Sequence, residues 1–156
     1  MKLQELLKGI EVIECTASPE LEISGVSADS RQVQPGGLFV AVPGFAADGH
    51  KFIPAAVKNC AAAVICEKKP QIDVPYVLTG NARHALAMAA ANWYGHPADS
   101  MTMIGVTGTN GKTTVTYLLK TVLEKTLGAK VGLIGTIQNM IGDESLETER
   151  TTPESL

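Results

Sequence analysis

Residues 101–135 read MTMIGVTGTNGKTTVTYLLKTVLEKTLGAKVGLIG, and the order of side-chain types in that stretch decides the expected architecture. Residues 101–106 form a short apolar run, long enough for one buried strand. A turn rich in glycine follows, and residues 112–127 have the composition of a helix. Residues 131–135 (VGLIG) return to a strand-like apolar run. Strand, glycine turn, helix and strand in this order predict one βαβ unit with parallel strands.

The same alternation extends toward the N-terminus. AAVIC at 62–66 and LFVAV at 38–42 are short buried strands, the second preceded by the turn signal Pro35-Gly36-Gly37. Residues 75–78 and LEISGVSA at 21–28 read as further strands. Between them, KFIPAAVKN at 51–59 is helical from Pro54 on, since proline fits a first helical turn. NARHALAMAAANWY at 81–94 is alanine-rich, with Asn81 placed to cap it. Residues 2–8 put Leu3, Leu6 and Leu7 on one face of a short helix. The fold class is therefore α/β, layered, with at least partly parallel pairing.

Gly95-His96-Pro97 stops the long helix and marks a domain boundary, dividing the chain into residues 1–97 and 98–156. Residues 136–150 read as irregular, with a turn at Gly142-Asp143. Thr151-Thr152-Pro153-Glu154 reads as a helix start, with Thr152 as N-cap and Pro153 at the first helical position. Residues 98–156 supply too few elements for a nucleotide-binding α/β domain, so the second domain is expected to be the truncated start of a larger one. The alternative is a small complete protein whose two parts share one sheet. In the truncated case, apolar surface around Ile104, Val106, Leu133 and Ile134 is expected to stay uncovered and to favour self-association.

Composition narrows the class. With 45% hydrophobic and 19% charged residues, the chain is globular rather than disordered. It has no apolar run long enough for a membrane-spanning helix, and its N-terminus lacks a secretory signal. A net charge of −3 gives no basic surplus for nucleic acid. Cys15, Cys60 and Cys66 lack metal-ligand spacing and suit reduced, cytoplasmic thiols used as small hydrophobes. His84 and His96 are read as structural, Trp93 and Tyr94 as packing groups at the helix end or domain boundary, and Lys120, Lys125 and Lys130 as a solvated face.

The chemistry lies in GVTGTNGKTT at 105–114. A glycine-rich turn between a strand and a helix brings backbone N–H groups close to phosphate oxygens, and the helix start adds partial positive charge. Gly108, Thr109, Asn110, Gly111, Lys112, Thr113 and Thr114 are the expected phosphate-binding residues. Lys112 would reach the β- and γ-phosphates, and Thr113 would offer its hydroxyl to Mg2+. Asn110 suits either a phosphate contact or a left-handed turn. The usual spacing puts a glycine at position 106, where this chain has Val106, so the strict pattern fails by one residue while the GTNGKT core survives.

GTNGKTT at 108–114 resembles the ATP loop of the Mur ligases, which build the peptide of bacterial peptidoglycan. ADSRQVQPGGLFVAVPGFAADGHKFI at 28–53 is similar to their N-terminal, uridine-nucleotide-binding domain, and GLIGT at 132–136 and TTPES at 151–155 also match. TTPES resembles the branch that adds the third residue, a diamino acid, to UDP-N-acetylmuramoyl-L-alanyl-D-glutamate. The resemblance implies an ATP-dependent amide-forming ligase working through an acyl phosphate, cytoplasmic, with Lys112 catalytic. Diaminopimelate and lysine both remain open as the added residue. The family's remaining metal ligands and amino-acid pocket would lie beyond residue 156.

The resemblance also makes Ser30 a contact to the uridine nucleotide, where the residues alone suggest a turn-stabilising serine. Arg31 is read as a surface charge or a structural partner of Asp29, with a direct diphosphate contact also left open. Asp48-Gly49-His50 falls in a region the family uses near the nucleotide, although His50 by itself reads as structural. Thr151 and Thr152 match positions that hold the muramoyl-peptide, alongside simple capping by Thr152. Two other functions stay open: the related ligase that adds the terminal dipeptide, which shares the Asp-Ser-Arg and Asp-Gly-His features, and a non-catalytic nucleotide-binding module.

Overall fold

The computed structural model describes residues 1–44 and 47–146. The chain divides into two units, the first comprising Met1–Met101 and the second beginning at Thr102.

The first unit is built on alternation. In β3 (Leu38–Val40) and β4 (Ala63–Cys66) every residue is buried, because helices cover both faces of the sheet. Successive side chains go to opposite sides. Leu38, Val40, Ala63 and Ile65 enter one core with Leu3 and Leu6 of α1 (Leu3–Leu6) and Ala82, Ala85, Leu86 and Ala89 of α3 (Ala82–Tyr94). Phe39, Ala41, Val64 and Cys66 enter the other, with Ile53 and Ala56 of α2 (Ile53–Lys58). Strand order is β1-β5-β4-β3-β2, where β2 is Val26–Ser27, β5 is Tyr76–Leu78 and β1 is Glu14–Cys15. β2 to β5 pair in parallel, and β1 closes one edge antiparallel to β5. The loops after β2, β3, β4 and β5 therefore gather at one end of the sheet, the end where ligands bind in open α/β sheets.

The anticipated helices and strands of this unit are present, although 21–28 contracts to the two-residue β2. Asn81 caps α3 by accepting the His84 amide at 2.9 Å, and Gly95, at φ +72°, ends it. Trp93 packs against the α1–α3 core, while Tyr94 is exposed. Only Cys66 has the small-hydrophobe role expected of the cysteines. It is fully buried, and burial pushes its thiol pKa up to about 11, whereas Cys15 and Cys60 are exposed.

The second unit departs further from expectation. α4 (Lys112–Leu127) forms as anticipated, but residues 101–106 are not a strand. A strand needs a neighbour to satisfy its ladder hydrogen bonds, and no described residue pairs with this run. The second half of the anticipated βαβ unit is replaced by an antiparallel meander. β6 (Gly132–Leu133) pairs with β7 (Asn139–Ile141), which pairs with β8 (Glu144–Leu146). The region expected to be irregular is thus a hairpin, turning at Gly142-Asp143 as anticipated, with Gly142 at φ +58°. Ile104 and Ile134 are exposed as expected, but Val106 is half-buried and Leu133 is buried. Lys120 corrects the reading of a solvated face. Its side chain is 8% exposed and its ammonium lies 2.7 Å from Glu124 one turn on, a neutralising partner that such burial requires.

Candidate functional site

The first cluster lies in the loop after β2. Ser27 Oγ donates to the Asp29 carbonyl and accepts the Asp29 amide, which fixes the exit from the strand. Asp29 then grips Arg31, accepting from Nε at 3.0 Å and from Nη2 at 2.6 Å as well as from the Arg31 amide. The Arg31 guanidinium holds the Asp29 carboxyl below its ordinary pKa. Arg31 is therefore the partner of Asp29 that the sequence suggested. Ser30 sits between them with only 6% of its surface exposed. Its carbonyl accepts the side-chain amide of Asn59 at 2.8 Å, while its hydroxyl has no hydrogen-bond partner among the described residues.

The second cluster joins the loops after β3 and β4. Asp48 caps the 3-10 turn Gly49–Phe52 through the His50 amide, and its Oδ1 also lies 2.5 Å from His50 Nδ1. His50 Nε2 accepts the amides of Glu67 at 3.0 Å and Lys68 at 3.2 Å. An acceptor on Nε2 leaves the ring proton on Nδ1, facing Asp48. Lys68 adds an ion pair to Asp48 at 3.3 Å. His50 is thus a structural histidine that ties one loop to another. This clamp and the Asn59 contact were not legible from spacing, since their partners lie 17 to 29 residues away.

The hydrogen bond from His50, more than any other contact, holds the Asp48 pKa well below the usual carboxylate range. A carboxyl depressed on folding adds stability that is present above its unfolded pKa, about 4, and is lost as pH falls toward the folded value. Asp29 acts with the same sign. The share of the thermal midpoint that Asp48 and Asp29 supply is therefore expected to be lost below about pH 4. Asp48→Asn should flatten part of that acid limb in thermal unfolding monitored across pH.

The third cluster is the loop before α4. Gly108 has φ +152° and Gly111, the residue before the helix, has φ +77°, a left-handed conformation that L side chains rarely adopt. Among the described residues, no backbone amide from Gly108 to Thr114 donates to a backbone carbonyl. The hydroxyls of Thr113 and Thr114 make no hydrogen bond there either. Lys112 Nζ folds back onto the Gly108 carbonyl at 2.7 Å, which uses one of its three protons and leaves two. Unclaimed amides at the start of a 16-residue helix, an ammonium above them and free hydroxyls beside it suit a polyphosphate and its divalent cation. Gly108, Thr109, Asn110, Gly111, Lys112, Thr113 and Thr114 are thus brought together. Ser30 belongs to the first unit, and Thr151 and Thr152 lie outside the described residues.

Comparison with known proteins places these features in one class. Residues 22–105 match the model "Mur ligase family, catalytic domain" and residues 106–156 match "Mur ligase middle domain". The chain belongs to the Mur ligase family. Its full length aligns at 49% identity over 158 residues with 32% of the UDP-N-acetylmuramoyl-L-alanyl-D-glutamate--2,6-diaminopimelate ligase of Caldanaerobacter subterraneus subsp. tengcongensis. A solved structure of a UDP-N-acetylmuramoyl-L-alanyl-D-glutamate--2,6-diaminopimelate ligase matches at TM-score 0.74 and 27% identity, over 99% of this chain and 31% of that one. The MurF ligase of Thermotoga maritima, solved in complex with ADP, matches at TM-score 0.50 and 34% identity, over 65% of this chain and 23% of that one. The chain spans about a third of the length of the curated relatives it matches.

Proposed function

We propose that this chain supplies the substrate-holding domain and the opening of the ATP domain of a cytoplasmic ligase in peptidoglycan synthesis. The enzyme adds a diamino acid, diaminopimelate by likeness to its relatives, to UDP-N-acetylmuramoyl-L-alanyl-D-glutamate. Residues 1–97 hold the uridine nucleotide, and residues 98–156 begin the ATP-binding part. The observation that carries this reading is the unclaimed amide array of Gly108–Thr114 with Lys112 above it, in a chain that resembles such ligases along its whole length.

The chemistry fits the residues. A carboxylate is a poor acyl donor, and ATP supplies the activation by phosphorylating it to an acyl phosphate, which an amine then displaces. Lys112 and the loop amides would hold the β- and γ-phosphates and offset charge that spreads over the transferring group. The Thr113 hydroxyl would take Mg2+. Ser30 would donate to or accept from the uridine nucleotide, and Thr151 and Thr152 would hold the muramoyl-peptide. Exposed Ile104 and Ile134 offer apolar surface for self-association of the isolated chain.

Calorimetric titration of the 156-residue chain with UDP-N-acetylmuramoyl-L-alanyl-D-glutamate tests the first half of this reading. Weak saturable heat, reduced by Ser30→Ala, is expected. No heat at millimolar ligand would remove the uridine-nucleotide site from residues 1–97.

A further inference from the structure

We propose that Asn59 is a positioning residue for substrate binding: its side-chain amide fixes the Ser30 carbonyl and so aims the Ser30 hydroxyl at the uridine-nucleotide substrate. The inference rests on the reading of Ser30 given above and adds a residue to it.

Asn59 follows α2 directly, and its backbone does the local work of ending that helix, with its amide on the Ala55 carbonyl at 3.0 Å. The side chain is not needed for that. It reaches 29 residues back along the chain to the Ser30 carbonyl at 2.8 Å. The segment that carries Ser30 is tied to the segment after α2 at two further points, both through backbone groups. The Gly36 amide donates to the Cys60 carbonyl at 2.8 Å, and the Ala62 amide donates to the Gly37 carbonyl at 2.8 Å. Cys60 takes φ +61°, unusual for a residue with a side chain. These main-chain ties persist whatever side chain occupies position 59. Asn59 adds the second hold on the Ser30–Arg31 peptide, whose N–H already donates to Asp29 Oδ1 at 2.9 Å.

The orientation of that peptide matters because of what surrounds it. Asp29 is held from behind by Ser27 and in front by Arg31, so the residues on either side of Ser30 are already engaged. Ser30 exposes only 6% of its surface, and its hydroxyl makes no hydrogen bond among the described residues. The hydroxyl is not among the solvent-excluded polar atoms that lack a partner, so it stays within reach of a ligand. The two holds on that peptide fix the direction of the Ser30 Cα–Cβ bond, from which the hydroxyl reaches out. An ionised aspartate at 59 would set a carboxylate against the Ser30 carbonyl and turn the peptide away.

The test uses the enzyme encoded by the full reading frame, with steady-state kinetics and thermal unfolding of Ser30→Ala, Asn59→Ala, Asn59→Asp and the Ser30→Ala/Asn59→Ala double variant. Expected is a rise of about tenfold in KM for the UDP-muramoyl-dipeptide in Asn59→Ala, the size of one lost hydrogen bond, and a larger rise in Asn59→Asp. KM for ATP, kcat and the thermal midpoint should stay near wild type. The double variant should bind no worse than Ser30→Ala alone, because Asn59 acts through Ser30. If Ser30→Ala weakens the nucleotide substrate while both Asn59 variants do not, the positioning role is overturned and the reading of Ser30 stands. If Ser30→Ala leaves KM unchanged, the reading of Ser30 falls, and the role of Asn59 with it. If the Asn59 variants lower the midpoint and kcat and raise KM for ATP as well as for the UDP-muramoyl-dipeptide, the side chain is structural and the proposal is overturned.

Discussion

Gly49→Ala is expected to destabilise the first unit by about 3 kcal/mol, at the upper end of what overpacking usually costs. A methyl group at Gly49 would lie 2.5 Å from the Val42 carbonyl oxygen, 2.7 Å from the Val42 nitrogen and 3.0 Å from the Ala41 carbonyl carbon. All three are backbone atoms of the chain leaving β3, whose neighbour Ala41 is fully buried, so they have little room to yield. The close approach is held by the Gly49 amide on the Val42 carbonyl at 3.1 Å. Moving Gly49 outward would also pull apart the Asp48–His50 clamp and release the Glu67 and Lys68 amides. Gly80→Ala is the control: nothing lies within 4 Å of a methyl group there, and its effect should stay within about 0.5 kcal/mol. Urea unfolding of both variants reads the difference directly. Equal stabilities would show that the turn at Gly49 gives way easily.

On the function proposed above, and in the protein encoded by the full reading frame, Lys112→Ala is expected to lower kcat/KM for ATP-dependent ligation by about a hundredfold to a thousandfold, the usual effect of removing one donor from charge developing in a transition state. Lys112 is the sole cation in GVTGTNGKTT, so alanine removes all side-chain positive charge from the loop. The same change deletes the tether to the Gly108 carbonyl. Lys112 is exposed, so folding stability should move by no more than about 0.5 kcal/mol, which separates loss of function from loss of fold. Phosphate release measured beside thermal unfolding reads both. An unchanged rate would remove Lys112 from the catalytic machinery.

Local signals in the sequence were read correctly where they settle the answer locally. Asn81 before an alanine-rich run specifies a capped helix, and the all-apolar runs at 38–42 and 62–66 specify strands covered on both faces. GTNGKTT specifies a turn and a helix start, because Gly108 and Gly111 must take backbone angles that other residues avoid. Pairing was harder to read, since it belongs to two segments at once. Residues 101–106 have the apolar content of a strand but no partner among the described residues, and 131–135 finds its partner in the following hairpin rather than across a parallel sheet. Lys120 shows the same limit for helices: residue type does not say which face of α4 is covered. The Asp-Gly-His motif was visible as a motif, but its physical reason, a backbone contact at Gly49 and a two-loop clamp by His50, depends on distant chain segments.

The most direct test is to follow the nucleotide product by mass spectrometry while measuring ADP and phosphate, using the protein encoded by the full reading frame. It is supplied with ATP, Mg2+, UDP-N-acetylmuramoyl-L-alanyl-D-glutamate and diaminopimelate. One diaminopimelate joined to the UDP-muramoyl-dipeptide, with loss of one water, for each ADP and phosphate formed is the expected result. ATP consumed without the muramoyl-dipeptide, or a UDP-muramoyl-dipeptide that gains no mass, would contradict the ligase assignment.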